Sequence, residues 1–249
     1  MTGLTELVRI ARAALSAVLV CSPMLLEARP RTSLRVFCIA AFEYLARLRG
    51  GSLGRRRRLA IAHACDFGSL RDKYYDEQKL DLTEYRSLRS ALRRMAPEAA
   101  TFCYIQQLRN AERCRPILST STPEVANATI AYRTTVIELS LRWLQGISGL
   151  AAEGVKFHSL VSLVCLMQLA DDLLDWKEDQ ADGCPSYVTA FLLAQPRTGI
   201  ATPLRALEDT LLQRTVGAAR QEAGTIPFTL AAVATWMFVI AVLKVRFPK

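Results

Sequence analysis

The chain contains 249 residues, 51% of them apolar, which suffices to bury a sizeable core as one large domain or two small ones. Its seven cysteines are odd in number and scattered, so they argue against a disulfide framework or a zinc site and predict a reducing, cytoplasmic location. The net charge of +9 comes without a zinc-finger spacing, an RNA-binding aromatic motif or a basic heptad array. We therefore do not expect nucleic acid as a partner.

Short groups of glycine, proline and hydroxyl residues divide the chain into helical segments, and no stretch alternates with the two-residue period of a strand. The predicted helices cover residues 4–21, 32–48, 55–78, 82–95, 98–114, 124–144, 154–181, 186–194, 203–222 and 227–246. We expect an all-α fold, a single-domain bundle over residues 1–249 whose motif-bearing core spans about 55–246.

Two apolar segments resemble membrane anchors. Residues 13–26 are short, contain Pro23 and lack a clear cleavage site, so a signal peptide is not expected. Residues 226–243 reach the minimum length of a membrane span and are followed by Lys244 and Arg246. This segment fits either a C-terminal anchor or a core helix beside an apolar cavity, and we favour the core helix.

One segment carries acidic residues that apolar packing does not explain. At about 100° per residue, its acids and Gln168 fall within a sector of about 120° on the predicted helix 154–181. These acids, together called the acidic stripe, are Asp171, Asp172, Asp175, Glu178, Asp179 and Asp182. Like charges on one face destabilise a helix unless a cation neutralises them, and Mg²⁺ prefers carboxylate oxygens. The stripe predicts a Mg²⁺–phosphate site; the alternative is a solvated acidic face.

A second acidic helix lies upstream, in the predicted helix 55–78. Asp72 and Asp76 are four residues apart on one face, with Asp66 at its edge. Two acid-bearing helices that face each other could hold several Mg²⁺ ions bridged by one diphosphate. Taken alone, a pair such as Asp72 and Asp76 is also common on solvated helices.

These motifs resemble those of a known family. Gln168-x-x-Asp171-Asp172-x-x-Asp175-x-x-Glu178-Asp179 resembles the second aspartate-rich motif of the trans-type isoprenoid synthases, which include the class I terpene cyclases. Asp72-x-x-x-Asp76-Glu77 looks like the first motif in the form of the squalene/phytoene synthase branch, and Gly183-Cys-Pro-Ser-Tyr187 lies where that branch has a short glycine-to-tyrosine segment. The stretch 146–149 is similar to the small-residue helix break of the family. The adjacent aspartates of chain-elongating enzymes are absent from the first motif, and no Asp-x-Asp-Asp motif of class II cyclases is present.

The resemblance implies a helical bundle around a central apolar cavity, with about three Mg²⁺ ions and a prenyl diphosphate substrate. It implies metal binding by Asp72, Asp76, Asp171, Asp175 and Asp179, with Asp172 as a further catalytic residue. The candidate diphosphate-binding cations are Arg133, Lys177 and Arg246. The candidate cavity residues are Phe67, Tyr104, Trp143, Gly146 and Gln168.

The function expected from this resemblance is a class I terpene synthase that ionises farnesyl or geranylgeranyl diphosphate and cyclises the carbocation. One alternative is a prenyl-chain-elongating or head-to-head prenyl diphosphate synthase. Another is a non-catalytic helical protein held at a membrane by residues 226–243. Peripheral association with a membrane and homodimer formation are both left open.

Overall fold

The computed structural model describes residues 3–26, 32–77, 80–118, 123–150, 155–194, 200–221, 231 and 233–240. Within these ranges the backbone forms helices joined by short turns, and it forms no strand. This confirms the expected all-α class. The expected helix over 227–246 falls largely outside these ranges, although residues 233–240 are helical.

Nine helices have defined bounds among the described residues, and each coincides with a helix expected from the sequence. They are α1 (Gly3–Leu26), α2 (Thr32–Leu48), α3 (Arg55–Glu77), α4 (Leu82–Met95), α5 (Glu98–Arg113), α6 (Pro123–Ser148), α7 (Val155–Asp182), α8 (Tyr187–Ala194) and α9 (Ala201–Gln221).

Local chemistry accounts for several of the helix ends. The Asp81 side chain caps α4 by accepting hydrogen bonds from the backbone N–H groups of Thr83 and Glu84, both at 2.9 Å. Gly149 follows α6 with a φ of +68°, and Gly183 follows α7 with a φ of +67°, a left-handed conformation that glycine adopts without strain.

Two expected breaks do not interrupt their helices. The backbone of α1 continues past Pro23, and α6 continues through Gly146. Within the 146–149 stretch, α6 is not interrupted; it ends at Ser148. A Cβ on Gly146 would stand 3.5 Å from the Cβ of Ala100, which is an ordinary van der Waals contact.

The chain divides into two compact units, and the first comprises residues 1–106 and 140–152. In this unit α2 packs against α1 and α3, and α3 packs against α4. Arg35 and Asp66 form a buried ion pair between α2 and α3. The fully buried Glu43 carboxylate accepts a hydrogen bond from the Leu53 backbone N–H at 2.9 Å and contacts the guanidinium groups of two arginines. Buried charges of this kind must be paired, because an unpaired ion in the interior is costly.

The second unit comprises residues 107–139 and 153–249, and α7 is its central helix among the described residues. It packs against α8 and α9. Its buried leucines recur at the helical period and include Leu160, Leu163, Leu166, Leu169 and Leu173. The expectation of one domain over the whole chain stays a prediction.

One described helix, Phe157–Asp182, has the length and composition to cross a membrane. Two thirds of its most apolar window (67%) is buried, and the core helix of a soluble protein passes the same test. Half of the segment 226–243, expected as a core helix or an anchor, lies outside the described residues.

Candidate functional site

The acidic stripe lies on the C-terminal half of α7, where the helix separates into an apolar and an acidic side. Leu169, Leu173 and Trp176 are buried. Most of the carboxylates point outward: Asp171, Asp175, Glu178 and Asp182 are exposed, and Asp179 is half-buried. The stripe is therefore a solvent-accessible row of negative charge on a helix whose opposite side belongs to the core of the second unit.

Asp172 differs from the rest of the stripe because it is only 3% exposed. Its Oδ1 accepts a hydrogen bond from Gln168 Nε2 at 2.7 Å and pairs with Arg133 Nη2 at 3.4 Å. Its Oδ2 accepts a hydrogen bond from the Tyr187 backbone N–H at 2.7 Å. One carboxylate thus joins α6, α7 and the first residue of α8.

The start of α8 is built to present that N–H group. The Ser186 backbone N–H donates to Thr189 Oγ1 at 2.7 Å, and the Thr189 N–H donates to Ser186 Oγ at 3.2 Å, which is a reciprocal capping arrangement. The Tyr187 ring is fully buried, and its hydroxyl lies 3.2 Å from Thr134 Oγ1 on α6. These contacts fix the N-terminal end of α8 against Asp172.

Burial raises the pKa of three carboxyl groups in the stripe, and repulsion from neighbouring acids adds to the rise at Asp171 and Asp179. Partial burial raises the pKa of Asp171, and the nearby Asp175 and Asp172 charges raise it further. Burial also raises the pKa of Asp172, although Arg133, Gln168 and the Tyr187 N–H partly offset the rise. Burial, with Asp172 as a secondary cause, raises the pKa of Asp179 to about 6. At these three positions the ionised carboxylate is less favoured than it would be in water.

Divalent cation binding is compatible with some of these side chains and not with others. Asp171 and Asp175 are exposed and one helical turn apart, so their oxygens are accessible to a hard cation such as Mg²⁺. Both Asp172 oxygens already accept hydrogen bonds. Across the described part of the chain, no three His, Cys, Asp or Glu side chains are grouped to hold a metal ion. A cation at α7 would therefore draw further oxygens from water or phosphate.

The candidate diphosphate-binding cations have three different environments. Arg133 is half-buried and lies beside Asp172. Lys177 is exposed, with its Nζ 5.7 Å from the centre of the Trp176 ring. Arg246 lies outside the described residues. Of the two that the structure describes, only Arg133 is brought next to the acidic stripe by tertiary structure.

The first acidic motif lies at the end of α3, in the first unit. Asp72 is exposed between Arg71 and Lys73. Asp76 belongs to the last turn of α3, and its side chain lies outside the described set. Asp66, which the sequence placed at the edge of this motif, is buried and paired with Arg35.

The aromatic residues expected to line a substrate cavity form a packed cluster in the first unit. The rings of Tyr104 and Trp143 stack with their centres 4.1 Å apart and their planes 4° apart, and Phe67 meets Trp143 edge-on at 5.9 Å. The Trp143 indole N–H donates to Thr101 Oγ1 at 3.3 Å. The three rings are buried and therefore belong to the core of the first unit. Aromatic pairs of this kind contribute about 0.5–1.5 kcal/mol each to stability beyond the burial of their surface. Gln168, the polar residue among the candidate cavity residues, donates a hydrogen bond to Asp172.

Two features of this region were not expected from the sequence, namely the pairing of Asp172 with Arg133 and the role of Tyr187. The Ser186-x-x-Thr189 spacing is a local sign of the cap, whereas the approach of Arg133 is tertiary.

Comparison with protein-family models, with curated proteins and with solved structures finds no match to this chain. The function must therefore be inferred from the chemistry of the residues described above.

Proposed function

We propose that the protein is a Mg²⁺-dependent class I terpene synthase, which ionises a linear fifteen- or twenty-carbon prenyl diphosphate and converts the carbocation to a terpene hydrocarbon or alcohol. The observation that carries the proposal is the pair Asp171 and Asp175, which are exposed and one turn apart beside the buried, arginine-paired Asp172. Desolvation raises the pKa of Asp171 most, and the nearby Asp175 and Asp172 charges raise it further; a bound divalent cation would relieve the repulsion between these charges.

The chain's own residues have distinct roles in this proposal. Asp171, Asp175 and Asp179 would hold Mg²⁺, and Asp72 and Asp76 are the further metal-binding carboxylates of the proposal. Bound Mg²⁺ supplies positive charge to the departing diphosphate. Asp172 acts as a positioning residue, because its hydrogen bonds hold Arg133 and the start of α8 beside the stripe.

The carbocation requires an apolar, dry cavity, and a bundle of the isoprenoid synthase type around such a cavity is part of the proposal. Phe67, Tyr104, Trp143 and Gly146 are its proposed apolar lining, and Gln168 is its proposed polar member. Lys177 and Arg246 are proposed to assist Arg133 in holding the diphosphate.

Incubation of the purified protein with farnesyl or geranylgeranyl diphosphate, with and without isopentenyl diphosphate, tests the activity. We expect a hydrocarbon or alcohol from one substrate alone, with strict dependence on Mg²⁺. Longer diphosphates that require isopentenyl diphosphate, or head-to-head products, would instead identify a prenyl diphosphate synthase. No product from any substrate, with no binding of Mg²⁺, would support the non-catalytic alternative.

A matched pair of variants on α7 tests the assignment of the metal-binding side chains. Asp175→Asn should lower turnover by at least about 100-fold, because catalysis of this kind depends on charge neutralisation at the leaving group. Asp182→Asn removes an exposed acid of the same helix outside the proposed metal set and should leave turnover nearly unchanged. Titration with Mn²⁺, followed by electron paramagnetic resonance, measures ion binding independently of turnover. Equal Mn²⁺ affinity in the wild type and Asp175→Asn would exclude Asp175 as a ligand.

A further inference from the structure

An open groove runs along the outer face of α4 in the first unit. It encloses about 330 Å³ and is lined by Leu82, Tyr85, Arg86, Arg89, Ser90 and Arg93. A smaller depression between α4 and α5 shares Arg89 and Arg93 with it and adds Glu98, Thr101, Phe102 and Ile105. Because the two depressions share two arginines, we call them together the arginine groove.

The sequence of α4 explains why the groove faces outward. Leu88, Ala91 and Leu92 form the buried side of the helix, so the arginines one turn apart at positions 86, 89 and 93 occupy the opposite side. The Asp81 cap fixes where α4 begins. The positive charges are therefore held in a row by a capped helix whose other face is packed.

Two of the three groove arginines are available to an external anion. Among the residues that the structure describes, neither Arg86 nor Arg89 has an acidic partner, whereas Arg93 pairs with Glu98 at 3.1 Å on an exposed surface. An exposed pair of this kind is worth at most about 1 kcal/mol, so an external phosphate could compete with Glu98 for Arg93.

Apolar side chains flank this row of charge. Leu82 is 56% exposed at the start of α4, and Phe102 is 61% exposed on α5. An anionic lipid bilayer offers phosphate groups that bind the arginines and, beneath them, an apolar layer that accepts Leu82 and Phe102. A nucleic acid offers the phosphates, but it offers no apolar phase for Leu82.

We propose that the arginine groove is a docking surface for membranes that contain anionic phospholipids. Arg86 and Arg89 contact the headgroup phosphates, Arg93 joins them when Glu98 releases it, and Leu82 and Phe102 insert at the level of the headgroups. The interaction places the protein on the membrane surface without a spanning segment, and it does not depend on the proposed enzyme activity.

Cosedimentation with vesicles tests the proposal on the full chain. The vesicles contain phosphatidylcholine alone, or phosphatidylcholine with about one third phosphatidylglycerol. The wild type should bind only the anionic vesicles and should release them at high salt. Each arginine near the membrane surface contributes about tenfold or less to binding. The double variant Arg86→Glu/Arg89→Glu should therefore bind about 30-fold more weakly, or worse. Phe102→Ser should bind several-fold more weakly at unchanged net charge.

Matched controls separate the groove from the overall positive charge. Arg12→Glu/Arg214→Glu makes the same change in net charge at two exposed arginines outside the groove and should bind nearly as the wild type does. Glu98→Gln frees Arg93 and should strengthen binding a few-fold. Circular dichroism and thermal unfolding of each variant establish that it is folded.

Three outcomes would overturn the proposal. Equal losses in the groove variant and the control variant would show that net charge alone drives binding. Release of the protein from vesicles by soluble glycerophosphate, with saturable binding of that anion to the groove, would identify a small-anion site instead. Tighter binding to RNA than to anionic vesicles, lost in Arg86→Glu/Arg89→Glu, would identify a nucleic-acid surface.

Discussion

The two acid-bearing helices, α3 and α7, use aspartate in two ways, and the same division occurs on both. Each buries one aspartate against an arginine from another helix: Asp66 with Arg35 in the first unit and Asp172 with Arg133 in the second. Each also exposes acids nearer its C-terminal end, Asp72 on α3 and Asp175 on α7. The buried aspartates join helices, and the exposed ones face solvent.

The difference between the two helices lies in the charge around the exposed acids. Asp72 also has an acid one turn away, Asp76, but Arg71 and Lys73 adjoin it in the sequence and reduce the net negative charge of that stretch. Asp175 stands in a row of acids that includes Asp171 and Asp179, with Lys177 as the only base in that stretch. Crowded like charge is tolerated at a cost to stability, and such a cost is a common sign of a ligand site.

Removal of the buried α7 aspartate is expected to have the largest effect on stability. Asp172→Ala should lower the free energy of unfolding by about 3–5 kcal/mol, because it leaves the Arg133 charge, the Gln168 amide and the Tyr187 N–H without their acceptor. Urea denaturation followed by circular dichroism measures the change. A decrease in the free energy of unfolding below about 1 kcal/mol would show that Asp172 does not hold α6, α7 and α8 together.

The α3 pair should respond similarly but less strongly. Asp66→Ala should cost about 3 kcal/mol, because it leaves the buried Arg35 guanidinium without its partner. The double variant Arg35→Met/Asp66→Leu removes both charges and should recover most of that loss in the same denaturation assay. Failure of the double variant to recover stability would indicate that the geometry of the pair, rather than its charge, holds α2 to α3.

Another buried acid, Glu208 on α9, contrasts with both aspartates because its Oε1 has no hydrogen-bond partner among the described residues. Glu208 is 1% exposed, and burial, assisted by the Asp209 charge, raises its pKa to about 7. Since the folded protein holds this proton more tightly than the unfolded chain, stability declines as the pH rises from about 4.5 to about 7.

Glu208→Gln should therefore raise the free energy of unfolding by on the order of 1–3 kcal/mol at pH about 8, with little change at pH about 4. Chemical denaturation at the two pH values measures this difference. Asp209→Asn, at the exposed neighbouring position, is the control and should have a much smaller effect. Equal stability of the wild type and Glu208→Gln at both pH values would contradict the inferred burial of charge.

Much of the helical architecture could be predicted from the sequence because its causes are local. The Asp81 cap, the left-handed Gly149 and Gly183, and the apolar period of α7 all act within a few residues of one another. The continuation of α1 past Pro23 could not be predicted in this way, because tertiary packing can maintain a helix at a residue that usually breaks one.

The candidate site could be predicted only in part. The period of α7 identified the acidic stripe, and it could also have indicated that Asp172 is buried, since Leu169 and Trp176 lie one turn to either side and are both buried. The arginine partners could not be identified, because Arg35 and Asp66 are 31 residues apart, and Arg133 and Asp172 are 39 residues apart. Separations of this size are set by tertiary packing, and no local pattern encodes them.

The smallest effect is expected at the exposed acids, and its sign distinguishes the two helices. Asp175→Asn relieves repulsion from Asp171 one turn away and should stabilise the protein by about 0.2–0.5 kcal/mol in the absence of Mg²⁺. Asp72→Asn removes an acid flanked by Arg71 and Lys73 and should be neutral or slightly destabilising. Thermal unfolding of both variants measures the difference. Higher stability of Asp175→Asn, together with a loss of Mn²⁺ binding, would indicate that Asp175 is kept for a ligand at the expense of stability. Small and equal losses of stability in both variants would instead identify the stripe as an ordinary solvated face.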